Sequence, residues 1–297
     1  MMSEELLTKN TTFTGLSAKL QQMGVENYNF MLTQYDSDIV SAAHNMSEDI
    51  DFELYARLIE ICKNDIWFFL REMLAVPGLI FGEYDFKLNE ANMAAIFCLE
   101  KGNSVYLNSP RETYKTVSLL SYMMYKMIFH RNDYDNYNII VRNEDVGKEL
   151  KCSLKNIIRM TFGKQSLQLN SVIDAINIYI IKNPDDIKSK LSSGNNLNFI
   201  PDAEFQRLDI LKDLPGVNMF EGVIGLHDNY PHIFEMLKNS HTFENTMYDI
   251  SEIFDGLVYI KKHFYELGLD MDWYMDMCKM FDYNENIIRR EIMLDRI

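Results

Sequence analysis

Between residues 104 and 226 the chain alternates short β-prone runs with helical patterns, and this alternation constrains its fold more than any other feature. Residues 104–108 (S-V-Y-L-N) form a compact apolar run, and a polar turn separates them from an apolar helical stretch at 115–131. A second run at 138–141 precedes a helical stretch at 145–160, and further β-prone runs follow at 176–181, 197–200 and 222–226. Parallel strands need a crossover of a dozen or more residues, which a helix supplies. The alternation therefore predicts an α/β fold with a mostly parallel sheet and helices on both faces. Ligands of such sheets sit beyond the carboxyl ends of the strands, so the strand-to-helix turns are the places to search for chemistry.

Helical patterns flank this core. Asp51 is placed to cap a helix at 52–62, a second pattern runs through 64–75 (N-D-I-W-F-F-L-R-E-M-L-A) until Val76-Pro77-Gly78 stops it, and Asn89 caps a third that Gly102 ends. Near the other end, Asp270 can cap M-D-W-Y-M-D-M-C-K-M-F and Asn284 can cap a helix running to the end of the chain. The first 50 residues are polar and acidic and read as an arm draped on the body or partly mobile. The expected organisation is an acidic arm at 1–50, an α/β core at 51–250 and a helical segment at 251–297.

Composition excludes several classes. No apolar run approaches the roughly 18 residues that span a bilayer, and the Met-Met-Ser-Glu-Glu start lacks a signal peptide's basic and apolar regions, so a cytoplasmic protein is expected. Cys62, Cys98, Cys152 and Cys278 form no C-x-x-C pair and read as reduced packing residues. A net charge of -15 argues against the whole surface serving as a nucleic-acid platform. The charge is uneven: residues 101–165 carry 11 Lys and Arg against 6 acids, whereas residues 1–60 carry 3 against 10. The basic stretch is either a phosphate-facing region or a set of ordinary solvated helix faces.

The informative turn is 109–116, S-P-R-E-T-Y-K-T. A phosphate loop reads G-x-x-x-x-G-K-[ST] because glycines let backbone N–H groups curl around phosphates, Lys neutralises them, and the hydroxyl holds Mg²⁺. Lys115 and Thr116 fit that pattern, while Ser109 and Tyr114 stand where the glycines would be. On the bare pattern alone the glycines are missing, and Lys115 reads as a solvated residue in a first helical turn.

The surrounding text resembles the ATPase of the large terminase, the DNA-packaging motor of tailed phages, particularly those with large genomes. The resemblance is carried in order by residues 64–72 (N-D-I-W-F-F-L-R-E), 86–89 (F-K-L-N), the bend P-R-E-T-Y-K-T, residues 236–249 (M-L-K-N-S-H-T-F-E-N-T-M-Y-D), 267–273 (L-G-L-D-M-D-W) and 289–294 (R-R-E-I-M-L). It spans roughly residues 50–297, weakly in the middle, and implies a P-loop NTPase of the RecA/ASCE-like class with helical N- and C-terminal extensions. By the same resemblance Ser109, Pro110, Arg111, Glu112, Thr113, Tyr114, Lys115 and Thr116 would cradle ATP. Lys115 would contact the β and γ phosphates, Thr116 would hold Mg²⁺, and Arg111 would stabilise charge on the transferred phosphoryl group; the alternative for Arg111 is a surface residue paired with Glu112 or another acid. The implied partners are double-stranded DNA, a portal protein and other terminase subunits in a homo-oligomeric ring, in a host cytoplasm. Terminases also carry an RNase H-like nuclease beyond the ATPase; no nuclease activity is expected from these residues.

The sequence departs from the family's motifs in three places. Tyr114 brings a ring where Gly is usual, and Glu112 replaces Gln and adds negative charge beside a polyanion. Adjacent acids should follow the second acidic motif's strand, yet in 197–205 (L-N-F-I-P-D-A-E-F) Asp202 and Glu204 are separated by Ala203. Asp202 is assigned the metal and Glu204 the attacking water, with a helix-capping role for Asp202 as the alternative. Where a Thr-Thr-Pro-Gly-like nucleotide sensor belongs, the chain reads H-D-N-Y-P-H at 227–232, which also lacks HExxH metal spacing. The expected activity is therefore ATP-driven packaging, impaired to an open degree. The alternatives are a non-hydrolysing pseudo-ATPase module that partners the motor and an α/β structural protein without nucleotide.

Overall fold

The computed structural model describes residues 11–22, 29–46, 50–75, 88–180, 191, 194–203, 214–222, 241–242 and 257–294. The chain divides into two compact units, one drawing on residues 1–88, 121–133 and 149–175 and the other on 89–120, 134–148 and 176–297.

In the first unit, helices α1 (Thr11–Gln22), α2 (Ser37–His44) and α3 (Phe52–Asn64) belong to the stretch that begins with the acidic N-terminus. That stretch contributes core: Phe13, Met31 and Ile39 are buried, and Phe13 and Phe30 meet Trp67 edge-on. Asp51 caps α3 by accepting from the Glu53 amide at 3.0 Å. The helix expected at 64–75 is instead one turn, Ile66–Phe68, running into a π-helical turn, Phe69–Met73. The π turn holds a half-buried Arg71, which donates to the Thr33 carbonyl at 3.0 Å, and a buried Glu72, which bonds His44 at 2.9 Å. Burial works to raise the Glu72 pKa, but the hydrogen bonds and charges of His44 and Arg71 outweigh it and hold the carboxyl below its ordinary range.

The second unit is built on a seven-stranded sheet: β1 (Ser104–Asn108), β2 (Asn136–Val141), β3 (Asn177–Ile180), β4 (Asn196–Ile200), β5 (Val217–Gly222), β6 (His241–Thr242) and β7 (Leu257–Lys261). Their order is β3-β2-β4-β5-β1-β7-β6 and every pairing is parallel. Consecutive residues of β1, β2 and β4 are buried, asparagines among them, so both faces of these strands are covered. Helix α4 (Glu90–Glu100) packs on β1 and β7; α5 (Lys115–Phe129) follows β1 and α6 (Glu144–Phe162) follows β2, and each contributes residues to both units. Beyond β7 lie α8 (Met271–Met280) and α9 (Glu285–Glu291), after α7 (Ser166–Asp174) of the first unit.

Two expectations for the last third are corrected. β7 lies in a segment read as helical; its L-V-Y-I-K run extends along β1, where Val258 and Ile260 are buried. Asp270 and Asn284 cap their helices as expected, through the Trp273 amide at 2.9 Å and the Ile287 amide at 3.3 Å, but α9 stops at Glu291 and Leu294 already has a left-handed φ of 53°.

One face of the sheet carries two distinct rows. Toward the carboxyl ends, Tyr106, Ile140, Ile200 and Phe220 form an apolar cluster. Two residues earlier, the same face presents asparagines in register: Asn177 donates to Asn138 at 3.0 Å, Asn138 to Asn198 at 2.8 Å, and Asn198 to Asn218 at 2.8 Å. Asn218 ends the row by donating to the Leu214 carbonyl at 3.1 Å, and its amide N–H donates to Ser104 Oγ of β1 at 2.9 Å. The side-chain amides of Asn138, Asn198 and Asn218 each give and receive, so these buried polar groups have partners and a one-residue slip of any strand would break the row.

Candidate functional site

The bend from β1 into α5 lies at the carboxyl edge of the parallel sheet, where the alternation of strands and helices placed it. Asn108 ends β1 buried, donating to the Tyr259 hydroxyl at 2.8 Å. The loop then ties itself across. Ser109 Oγ and Thr113 Oγ1 lie 2.8 Å apart, and Thr113 Oγ1 donates to the Pro110 carbonyl at 2.7 Å. From outside the loop, Asn89 and Asn92 each donate a side-chain N–H to the Thr113 carbonyl at 2.9 Å. Asn89 therefore does two jobs, since it also caps α4 through the Asn92 amide at 3.0 Å.

This bracing holds an unusual backbone. Glu112 and Tyr114 both adopt left-handed conformations, with φ of 58° and 60°. L-residues other than Gly, Asn and Asp avoid that region at a cost of roughly 1–2 kcal/mol each. The position where glycine is expected in a phosphate loop thus keeps a glycine-like conformation while carrying a tyrosine. Alternating hand in a turn is how backbone amides are curled into anion-binding nests. Glu112 is exposed, Tyr114 half-buried, and the Tyr114 carbonyl accepts from the Ser118 amide at 2.9 Å and from Ser118 Oγ at 2.8 Å.

Lys115, only 4% exposed, folds its amine back on the loop and donates to the Ser109 and Pro110 carbonyls at 2.7 Å each. The solvated-lysine alternative is thereby excluded in this conformation. Thr116, half-buried, directs its hydroxyl to the next strand, where it lies 2.7 and 2.9 Å from the two carboxylate oxygens of Glu221 in β5.

Glu221 belongs to none of the motifs read from the sequence. It sits beside Leu107 in the register of β5 on β1, one residue short of the strand's end. Burial raises its carboxyl pKa above the ordinary value, against the charge of Lys115 and the hydrogen bond from Thr116; Asp202 adds to the rise and Arg111 opposes it. Lys115, Asp202 and Arg111 therefore all act on one carboxylate. The strand that carries it, Val217–Gly222, starts five residues before the β-prone run expected at 222–226, so Glu221 lies outside that run and its position names no partner.

The remaining predicted residues are placed differently. Arg111 forms an ion pair with Glu291 of α9, and its backbone N–H donates to the Glu291 carbonyl at 3.0 Å. Its partner is thus another acid and not Glu112, as the alternative reading of Arg111 allows. Glu291 is buried and also pairs with Arg290. Asp202 follows β4 with a φ of 46° and is half-buried; Thr116 gives its hydroxyl to Glu221 and not to Asp202. Glu204 and residues 227–232 lie outside the described residues, as does most of 222–226.

Among the described residues, no three His, Cys, Asp or Glu side chains group as a metal site. The Thr116 hydroxyl and Glu221 carboxylate are nevertheless hard oxygen donors of the kind Mg²⁺ takes alongside phosphate and water, so the donor set fits that ion. Three cysteines are buried, as packing residues would be, but Cys152 is exposed. In the basic stretch, Lys126, Lys148 and Lys155 are engaged with Asp133, Glu144 and Asp174. No described helix is long and apolar enough to cross a membrane. Comparison with known proteins gives no match, either to a family model or to a curated protein.

Proposed function

We propose that the chain is a terminase-like ATPase domain whose bend between β1 and α5 binds a nucleoside triphosphate. One observation carries this reading: a strand-to-helix turn at the carboxyl edge of a parallel sheet keeps left-handed residues at Glu112 and Tyr114, directly before Lys115 and Thr116. Holding two non-glycine residues there costs folding energy, and such strain collects where function requires a backbone shape. The packaging context, with DNA, portal and ring partners, rests on the motif resemblance.

Each side chain at the bend has a derivable task. Lys115 is the cation that meets phosphate oxygens, and to do so it exchanges its two carbonyl partners for them. Thr116 and Glu221 would hold Mg²⁺, which when bound offsets phosphate charge. Arg111 leaves Glu291 before it reaches a transferred phosphoryl group.

A second reading, nucleotide binding without turnover, is favoured by the resting partners of Arg111 and Lys115. Both are committed to protein groups, and the acids Asp202 and Glu204 lack the adjacent spacing of the family. Calorimetry with ATP and Mg²⁺ tests the shared premise: saturable binding is expected, weakened about tenfold or more by Lys115→Ala through loss of a charge-assisted contact. Equal affinity in both chains would defeat it. Mg²⁺-dependent turnover in the presence of DNA then separates the motor from the silent module.

A further inference from the structure

The carboxylate that touches Thr116 comes from a strand to which the motif resemblance assigns no acid. β5 lies between β1 and β4, so Glu221 stands one strand from the bend and Asp202 follows the strand beyond it. Thr116 Oγ1 carries one proton and can donate to one oxygen at a time, yet both Glu221 oxygens lie within 2.7 and 2.9 Å of it. Adjacent ligands of an octahedral Mg²⁺ at 2.0–2.1 Å are about 2.9 Å apart, so the hydroxyl and carboxylate already have the spacing of a ligand pair.

The surroundings suit such a role. Lys115 of α5 and Arg111 of the loop bring positive charge to Glu221, and Asp202 brings a like charge. Asp202 is therefore near enough to be felt by Glu221, while the contact with Thr116 belongs to Glu221. We infer that Glu221, rather than Asp202, is the carboxylate that shares a divalent cation with Thr116 when nucleotide occupies the bend. This inference rests on the nucleotide reading above.

The test is the affinity of the full chain for a fluorescent ATP analogue, measured in EDTA and with Mn²⁺, for the natural chain, Glu221→Gln, Glu221→Asp and Asp202→Asn. Electron paramagnetic resonance of bound Mn²⁺ gives a readout independent of turnover. The natural chain should gain about tenfold in affinity from Mn²⁺, and Glu221→Gln should lose most of that gain while its EDTA affinity stays within about threefold. Glutamine preserves the shape and the bond from Thr116, and near-ultraviolet circular dichroism checks that it folds. Glu221→Asp, which keeps the charge but withdraws it by one methylene, should fall between. Asp202→Asn should keep the gain and the Mn²⁺ signal. A full gain in Glu221→Gln, or its loss in Asp202→Asn, overturns the assignment with the nucleotide reading intact. Binding in EDTA with no Mn²⁺ gain in the natural chain also defeats the assignment alone, whereas no binding under either condition defeats both.

Discussion

The two ends of the parallel sheet use buried polar groups in opposite ways. Toward the amino ends, Asn177, Asn138, Asn198 and Asn218 satisfy one another across four strands in ordinary extended backbone. At the carboxyl end, Glu112 and Tyr114 hold left-handed backbone, Lys115 is buried on its own loop's carbonyls, and Glu221 carries a raised pKa. The amide row has partners that leave it nothing else to bind. At the bend, Lys115 and Thr116 are held by groups that the proposed reading has them exchange for phosphate and a cation. One end therefore fixes register, and the other carries the groups on which the proposed function rests.

This contrast can be broken or sharpened by substitution. The largest effect is expected at Gly216, whose φ is 96° and where an added Cβ would lie 2.2 Å from the Asn196 carbonyl oxygen. Gly216→Ala should cost about 3–5 kcal/mol in urea unfolding, because backbone on backbone cannot yield cheaply. Next comes Asn198→Ala, which leaves the Asn138 donor and the Asn218 acceptor buried without their partner; about 2–4 kcal/mol should be lost. Nucleotide affinity of the folded Asn198→Ala chain should stay at the natural value. An affinity loss that tracks the stability loss would show that the two ends are not separate in role.

At the other end the sign should reverse. Tyr114→Gly should stabilise the fold by about 1 kcal/mol, since glycine accepts a φ of 60° without strain. It should also tighten nucleotide binding if the ring obstructs the cradle, as titration of the ATP analogue would show. The smallest stability effect is expected for Glu291→Gln, which removes the charge that holds Arg111 and Arg290 but keeps a buried oxygen able to accept from them, so that about 1 kcal/mol or less is lost. Its informative readout is turnover: a rise would mean that the Glu291 contact restrains Arg111, and no change would assign that pair to packing alone.

Much of the architecture could be read from spacing. β1 falls on residues 104–108 as expected, and β2, β3 and β4 lie within two residues of their anticipated starts. Asn89, Asp270 and Asn284 cap the helices they were expected to cap, because a cap is a local bond between residues three apart. β7 is not legible in the sequence because a five-residue apolar run looks alike near the edge of a sheet and in a helix. The π turn at Phe69–Met73 is hidden for a related reason, as it carries the same apolar pattern as the α-helix expected there.

At the site, Lys115 and Thr116 were legible because they are neighbours in a patterned turn, and the cost of Tyr114 was legible from its side chain alone. Glu221 and Glu291 were not, since each is more than a hundred residues from the group it contacts. The sequence by itself determined the parallel layering, the location of the bend and the residue types gathered in it, because these follow from period, capping and local backbone preference. Only the tertiary structure decided that Thr116 faces Glu221, that Arg111 is held by Glu291 and that four asparagines lie in one row. Those pairings depend on strand order and register, and both are fixed by the burial of whole faces rather than by any short stretch of chain.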